Sequence, residues 1–515
     1  MDSKKQQMIK KETLIKVGIA FLFPFVLCFV YCLIHKESLF HLYVPASYNN
    51  DSLYYFKTVE GILSYAYPRG YFGYNEGHAI LGSLGYWPPI NYLPWVIWGR
   101  VFGINNGSLL FCNLFMFSTA FSGFVLLSKP KWEQFIFSLL FLSVFPAVPD
   151  HLLSVLPETF IVSLMLVLFG LMMGENGFEE KKAIRNCLIG MFLCVFLLTM
   201  ARPYYGMFAV IPYLFMKKRK VKKAELIAVS FCAGALGIYL LTEKLFTAPY
   251  FSSMPFISML QDLLQGDTSA FVRRFTRAMN AYGVWFKSLM ADTFLKGYLP
   301  GVQFLTALIC FVLVTVQGFL EEKENRKWFF IFTGAMVIVL FLLVIMMQKV
   351  YEGGRHLFVF SVIGCLLLAY GKPGMKSTVL KTLLISFLLI CVLRGSFFGA
   401  DYEAPFKEEK IVAGNEYWAK RFESVRVDKK AAVGYENTID WIIGDSSVLS
   451  YNELYAIPKG MGLNCCEMLY AKEHIDDLFA KYIAVCPDGN MEILCKERGY
   501  EELGRTTGMV IYKRY

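Results

Sequence analysis

The chain has 515 residues, of which 56% are hydrophobic and only 18% are charged, whereas ordinary globular chains carry about 25% charged residues. With a mean hydropathy of +0.46, this composition excludes a soluble enzyme. The formal charge of +10 is spread in short runs between apolar stretches, which argues against a nucleic-acid-binding protein. The sequence has no His-Glu-x-x-His, Cys-x-x-Cys, Walker or Gly-x-Gly-x-x-Gly motif. A zinc enzyme, an ATP-driven pump and a dinucleotide enzyme are therefore disfavoured.

Apolar runs of the length needed to cross a bilayer recur along the first three quarters of the chain. A membrane-spanning helix needs about 20 mostly apolar residues. We predict eleven spans, near residues 14–34, 107–128, 133–148, 157–174, 185–200, 204–216, 224–243, 301–318, 328–347, 356–371 and 378–395. The fold class expected is an all-α, multi-pass, polytopic membrane domain over residues 1–395, followed by a small extracytoplasmic α/β domain over residues 396–515.

Basic residues in the short connections determine the predicted orientation. With eleven spans, the basic runs after the first span all fall on the side of the N-terminus, which the positive-inside rule makes cytoplasmic. Counting the apolar stretch 88–104 as a twelfth span would move these runs outside. We therefore interpret 88–104 as a juxtamembrane or re-entrant helix. The first span lacks a small-residue cleavage site, so we expect a retained anchor in the plasma membrane.

This topology leaves three segments on the exterior face: 35–106, 244–300 and the tail 396–515. In the tail, the pattern predicts a helix over 472–480 and strands over 481–486 and 507–512. Nine of the thirteen cysteines lie in predicted spans, where they are interpreted as packing residues. The other four are Cys465, Cys466, Cys486 and Cys495. An exported domain permits disulfides between them, and free thiols are an equal alternative.

The first exterior loop contains a predicted amphipathic helix. Five apolar residues recur there at helical spacing: Leu53, Phe56, Val59, Ile62 and Leu63. The pattern predicts a short helix that lies on the membrane and begins after Asp51. Asp51 is well suited to cap such a helix. A capping carboxylate can also face a cleft, so a structural role and a catalytic role are compatible.

Four short motifs carry a family resemblance. They are an acidic residue ahead of Tyr54-Tyr55, Pro88-Pro-Ile-Asn-Tyr92 opening another helix, Leu156-Pro-Glu158 opening a span, and Gly353-Gly-Arg-His356 entering a late span. Together with the topology and the exported tail, they resemble the GT-C superfamily of membrane glycosyltransferases, in particular protein mannosyltransferases and aminoarabinose transferases. The chain departs from that pattern in having a lone Asp51 instead of two adjacent carboxylates, and His356 instead of an aromatic residue.

The resemblance implies transfer of a hexosyl or pentosyl group, with inversion, from a polyprenyl-phosphate-linked sugar donor. The acceptor would be a glycan, lipid or protein of the cell envelope on the outer face of a bacterial plasma membrane. The implied partners are this donor, the acceptor and membrane lipids, with no nucleic acid. No residue pattern supports a cofactor. A divalent metal is compatible with the family but unsupported here, because the acidic pair is missing.

Transfer of a sugar to a hydroxyl requires a base near that hydroxyl. Asp51 is the first candidate, and Glu158 and Asp150 follow it, since both lie at the exterior mouth of the third and fourth spans. A carboxylate there is costly if it faces lipid. The alternative interpretation is that Asp150 and Glu158 are first-turn charges at helix starts.

The departing phosphate requires positive charge. Arg355 is the first candidate for this contact, followed by Arg202 in Ala-Arg-Pro-Tyr-Tyr, because a guanidinium group binds phosphate oxygens in pairs. The further substrate-binding candidates are Lys349, Glu76, His78 and Tyr55. For the two arginines, the alternative role is snorkelling to lipid headgroups.

Three other classes of membrane protein remain as alternatives. A flippase of lipid-linked glycans should show internal repeats and charges near the midplane of the membrane. No repeat is visible, and the candidate charges cluster at exterior ends. A polymerase or ligase of lipid-linked glycans is closer, but it would need neither an acidic first loop nor a folded tail. A structural or sensory protein is disfavoured by the Pro-, Gly- and aromatic-rich first loop.

Overall fold

The structure is a computed structural model of the 515-residue chain. It describes residues 3–40, 42, 51–66, 84, 88–105, 107–247, 262–296, 298–342, 353–396, 416–423, 442–445, 463–466, 472–473, 475–476 and 481–514. Within these residues the chain is mostly helical, and a small sheet lies near its C-terminus. The predicted fold class of a helical membrane protein with a small α/β tail is confirmed.

Each predicted apolar run overlaps a helix, and further helices lie outside these runs. In chain order they are α1 Ser3–Ile34, α2 Asp51–Tyr65, α3 Leu93–Phe102, α4 Ser108–Ser128, α5 Trp132–Val144, α6 Ala147–Leu152, α7 Glu158–Met173, α8 Lys181–Ala201, α9 Val210–Lys218, α10 Ala224–Phe246, α11 Thr268–Lys296, α12 Leu299–Leu320, α13 Lys323–Leu340, α14 Gly353–Tyr370, α15 Met375–Cys391 and α16 Asn490–Glu497. Among the described residues, six helices are long and apolar enough to cross a bilayer, namely α1, α4, α8, α10, α12 and α15. Helices α5, α7 and α14 are apolar but shorter.

Two predicted segments differ from the structure. The expected span 204–216 divides into a 3₁₀ helix, Pro203–Ala209, and the nine-residue α9. Pro203 accounts for the start of this break, because it lacks a backbone N–H and favours extended backbone at the preceding residue. Helix α2 begins at Asp51 as expected, but residues 55–61 are buried on every side of the helix. It is therefore packed within the protein and does not lie on the membrane surface with one face exposed.

The helices pack around two central members. Helix α4 packs against α1 and α7, and α14 packs against α5, α7 and α12. The side chain of Gln134 joins two of these elements, because it accepts a hydrogen bond from the Lys131 backbone N–H at 2.9 Å and donates one to the Tyr370 carbonyl at 2.8 Å. It thus caps α5 and attaches that helix to the end of α14. Helices α7 and α14, which carry the acidic and basic candidates, are held in the interior of the bundle.

The tail contains a five-stranded sheet in the order β2-β1-β3-β5-β4. Its strands are β1 Ile442–Asp445, β2 Leu463–Cys466, β3 Tyr482–Val485, β4 Glu501–Arg505 and β5 Val510–Lys513. β1 pairs in parallel with β2 and β3, whereas β5 pairs antiparallel with β3 and β4. The two predicted strands coincide with β3 and β5.

Two details of the tail can be compared with the sequence predictions. Within the predicted helix 472–480, only residues 472 and 473 of those described are helical. Cys495 is a buried free thiol, which favours the free-thiol alternative for this residue. The side chains of Cys465 and Cys466 lie outside the described part of the structure.

Candidate functional site

Glu158 is the centre of a buried group of charges. It is the first residue of α7, directly after Pro157, and it is fully buried. Its Oε1 accepts a hydrogen bond from Nη2 of Arg202 and lies 3.5 Å from Nε of Arg355. A carboxylate in the first helical turn also interacts favourably with the helix dipole. One acidic side chain therefore contacts two guanidinium groups from distant parts of the sequence.

Arg202 reaches Glu158 because α8 ends at the preceding residue. Its backbone is extended, with φ −153° and ψ 120°, and Pro203 follows; residues before proline favour this conformation. The side chain is 3% exposed, and its Nη1 donates to the hydroxyl of Tyr204 at 3.2 Å. Arg202 is thus bound inside the protein, which contradicts its alternative role as an arginine that snorkels to lipid headgroups.

Arg355 lies in the first turn of α14 and is 8% exposed. Its helix packs against α7, which brings the guanidinium group to Glu158. Glu158, Arg202 and Arg355 together carry a formal charge of +1. Two guanidinium groups that meet at one buried position offer several hydrogen-bond donors, which suit the oxygens of an anion.

His151 lies beside this group in α6, the short helix between α5 and α7, and it directly follows Asp150. Both are buried, at 2% and 1% exposure. Burial lowers the pKa of His151 to about 4, which keeps the imidazole neutral at pH 7. The sequence analysis did not single out His151. Its position next to Asp150 and just before the Leu-Pro-Glu motif was the signal available.

The loop 35–106, which the sequence topology predicts to be exterior, is connected to this site through buried hydrogen bonds. Trp95 Nε1 donates to Oδ1 of Asn113 at 2.8 Å, and Asn113 Nδ2 donates to the carbonyl of Ser154 at 2.6 Å. Asn91, from the Pro-Pro-Ile-Asn-Tyr motif, donates to the carbonyl of Ala201 at 3.5 Å. The loop is therefore attached on one side to the turn before Glu158 and on the other to the residue before Arg202.

Tyr55 belongs to the same loop structure. It is 3% exposed, and its ring lies 5.5 Å from that of Tyr92 and 5.8 Å from that of Trp95, measured between centroids. Tyr55 projects from α2, whose first residue is Asp51. The side chain of Asp51 and the residues Glu76, His78 and Lys349 lie outside the described part of the structure.

The residues described do not form a metal centre. Over the described ranges, no group of three or more His, Cys, Asp or Glu side chains is arranged to hold a metal ion. Around Glu158 the nearest charged partners are two arginines, which repel cations. The two guanidinium groups beside Glu158 are donors suited to bind an anion.

Comparisons with known proteins give two structural neighbours. No family model and no curated protein matches the chain. One neighbour is ArnT from Cupriavidus metallidurans, solved with undecaprenyl phosphate bound, at 10% identity and a TM-score of 0.44, covering 97% of each chain. The other is the oligosaccharyltransferase AglB from Archaeoglobus fulgidus, solved with an inhibitory peptide and a dolichol-phosphate, at 12% identity and a TM-score of 0.45, covering 93% of this chain and 69% of AglB.

Proposed function

We propose that this protein is an integral membrane glycosyltransferase that moves a sugar from a polyprenyl-phosphate donor to an acceptor hydroxyl on the outer face of the membrane. The observation that carries the proposal is the buried Glu158–Arg202–Arg355 group. The sequence topology assigns the ends of α7, α8 and α14 that form this group to the exterior face. The acceptor is an envelope glycan, lipid or protein.

The chemistry of the reaction matches the charge of this group. When the bond between sugar and phosphate breaks, negative charge develops on the departing phosphate. Guanidinium groups stabilise that charge through paired hydrogen bonds. Glu158 holds the two arginines in place before the donor binds, and their guanidinium groups offer hydrogen-bond donors to the phosphate. Arg202 and Arg355 are therefore the proposed phosphate-binding residues, and Glu158 is their counter-ion.

The acceptor hydroxyl needs a group that removes its proton. Glu158 is occupied by two arginines, so we assign the base to Asp51, at the start of α2. Asp150 is the second candidate for the base because it is buried next to His151. Tyr55 and the Pro-Pro-Ile-Asn-Tyr motif position the first loop against the arginine site through the contacts described above.

Substitution of Arg355 tests the proposal. Purified variants are compared for transfer from a polyprenyl-phosphate sugar, per folded molecule. Arg355→Ala should lose about 2–4 kcal/mol of transition-state stabilisation, which is about 30- to 1,000-fold in rate. Arg355→Lys should lose less, because it keeps the charge but not the two-pronged geometry.

The matched control is Arg274→Ala. Arg274 is an arginine of the segment 244–300, half exposed and paired with Asp262 at 2.7 Å, and its loss should leave the rate unchanged. If Arg355→Ala transfers sugar at the wild-type rate, Arg355 does not bind the phosphate and the proposal loses its main support. If the wild-type protein shows no transfer but polymerises or ligates lipid-linked glycans, the protein belongs to that alternative class.

A further inference from the structure

His151 is fixed from three sides at the edge of the Glu158–Arg202–Arg355 group. Its ring stacks on Phe358, with centroids 4.0 Å apart and planes at 24°. Its backbone carbonyl accepts hydrogen bonds from the hydroxyls of Ser154 at 3.1 Å and Thr159 at 2.9 Å. Thr159 follows Glu158 directly in α7, and Phe358 lies one helical turn after Arg355 in α14. His151 is thus built into the same site as the charged group.

The hydrogen bonds of the ring determine which nitrogen carries the proton. The Nε2 of His151 lies 3.0 Å from the amide Nε2 of Gln303, which is 1% exposed. An amide nitrogen donates hydrogen bonds and does not accept them. The His151 Nε2 is therefore the acceptor, and the proton of the neutral ring is on Nδ1. Within the part of the chain that the structure describes, this buried Nδ1 has no hydrogen-bond partner.

A buried N–H group without a hydrogen-bond partner is unfavourable. The charges around the His151 ring indicate which kind of ligand atom could accept this hydrogen bond. Glu158, Arg355 and Arg202 all act electrostatically on the imidazole. The lowered pKa of about 4 keeps the ring neutral at physiological pH. His151 thus offers an uncharged donor beside two cationic donors, which suits an oxygen of a phosphate group.

We propose that His151 is a substrate-binding residue whose Nδ1–H donates a hydrogen bond to a phosphate oxygen of the lipid-linked donor, with Gln303 and Phe358 as the residues that orient its ring. This inference rests on the proposed function, since it concerns the same phosphate that Arg202 and Arg355 would bind.

Two substitutions of His151 distinguish the role of Nδ1 from that of Nε2. His151→Gln reaches the position of Nε2 and keeps a partner for Gln303, but it has no donor at the Nδ1 position. His151→Asn places its amide nitrogen near Nδ1 and retains that donor. The full-length variants are titrated in detergent micelles with decaprenyl phosphate, and with decaprenol as the probe that lacks the phosphate.

His151→Gln should bind decaprenyl phosphate about 10- to 100-fold more weakly than the wild type, which is the range for a hydrogen bond to a charged group. His151→Asn should stay within about threefold. Both should bind decaprenol like the wild type. Gln303→Met removes the donor to Nε2 with little change in volume. It should weaken the binding of decaprenyl phosphate about tenfold, because the His151 ring loses the hydrogen bond that orients it.

Several results would overturn the inference. Equal loss of decaprenol binding in His151→Gln would show that the residue only supports packing. Wild-type affinity for decaprenyl phosphate in both His151→Gln and Gln303→Met, with Arg355→Ala weakened, would refute the role of His151 and leave the proposed function intact. If the wild type does not prefer decaprenyl phosphate to decaprenol, the proposed function itself fails.

The pH dependence gives an independent readout. Because the ring is neutral throughout, the ratio of the Kd values of His151→Gln and the wild type should stay constant from pH 5.5 to 8. A ratio that decreases toward one as the pH rises would mean that His151 binds as a cation, and this would contradict the proposal.

Discussion

Replacing Glu158 by Gln tests whether this carboxylate is the counter-ion of the two buried arginines. Glu158 is fully buried, and its Oε1 lies 3.5 Å from Nε of Arg355. At that separation two unit charges interact by about 5 kcal/mol if the effective dielectric constant is about 20. Removing one partner of a buried ion pair costs about 3–5 kcal/mol. Gln retains a carbonyl oxygen that can accept a hydrogen bond from Arg202. We therefore expect the free energy of unfolding to fall by an amount near the lower limit, about 3 kcal/mol.

The assay is the free energy of unfolding in mixed micelles of dodecyl sulfate and a mild detergent. The matched control is Glu322→Gln, which disrupts the exposed ion pair between Glu322 and Lys372, 2.9 Å apart. That pair should contribute little to stability, because both side chains are exposed to solvent. The double variant Glu158→Gln/Arg202→Gln should be less destabilised than the sum of the two single variants, because the second change removes a charge that the first leaves unpaired. If Glu158→Gln lowers the free energy of unfolding as little as Glu322→Gln does, Glu158 is not the counter-ion of the two arginines.

The remaining predictions concern the base, the tail and the topology. Asp51→Asn keeps an oxygen that can cap α2 but removes the basic carboxylate, so transfer should fall by roughly 100-fold or more while the unfolding profile is preserved; unchanged turnover would exclude Asp51 as the base. The hydrogen bond from Arg505 lowers the pKa of Glu492 to about 2, below the ordinary value of about 4.3. This contact therefore stabilises the tail above pH 4 and is lost as the pH falls toward 2; the hydrogen-exchange protection factors of the tail sheet, which are corrected for the pH dependence of intrinsic exchange, should fall over that range in the wild type and less in Glu492→Gln. An impermeant maleimide should label Lys220→Cys only from the inside and Glu497→Cys only from the outside, and labelling of both from one side would refute the eleven-span topology.

Much of the helical architecture could be predicted from local sequence. An apolar run of about 20 residues has to satisfy its backbone hydrogen bonds internally when it lies in lipid, so its helical state follows from composition alone. Pro203 ends α8 regardless of what surrounds it, and α2 begins at Asp51 because the helical spacing of the apolar residues begins there. The strands β3 and β5 were likewise visible as short apolar runs between turn residues.

The packing of these helices and strands could not be predicted from local sequence. The buried position of α2 differs from the predicted surface helix, since an amphipathic pattern fits a helix that lies on lipid and also one that packs against other helices. The 3₁₀ helix at 203–209 was not predicted, because these residues are mostly apolar like the rest of the expected span 204–216.

The sequence by itself determined which residue types were available for the site and near which helix ends they lie. Only the tertiary structure decided which of them meet. Glu158 and Arg202 are 44 residues apart, and His151 and Gln303 are 152 residues apart, so no local periodicity connects them. The contact of Glu158 with Arg202 follows from the packing of α7 against α8, and the contact of His151 with Gln303 joins α6 to α12. Burial among these helices makes each charge depend on its partner. That is why Arg202 and Arg355 could be named from the sequence, while their shared counter-ion and the neighbouring His151 could not be recognised without the fold.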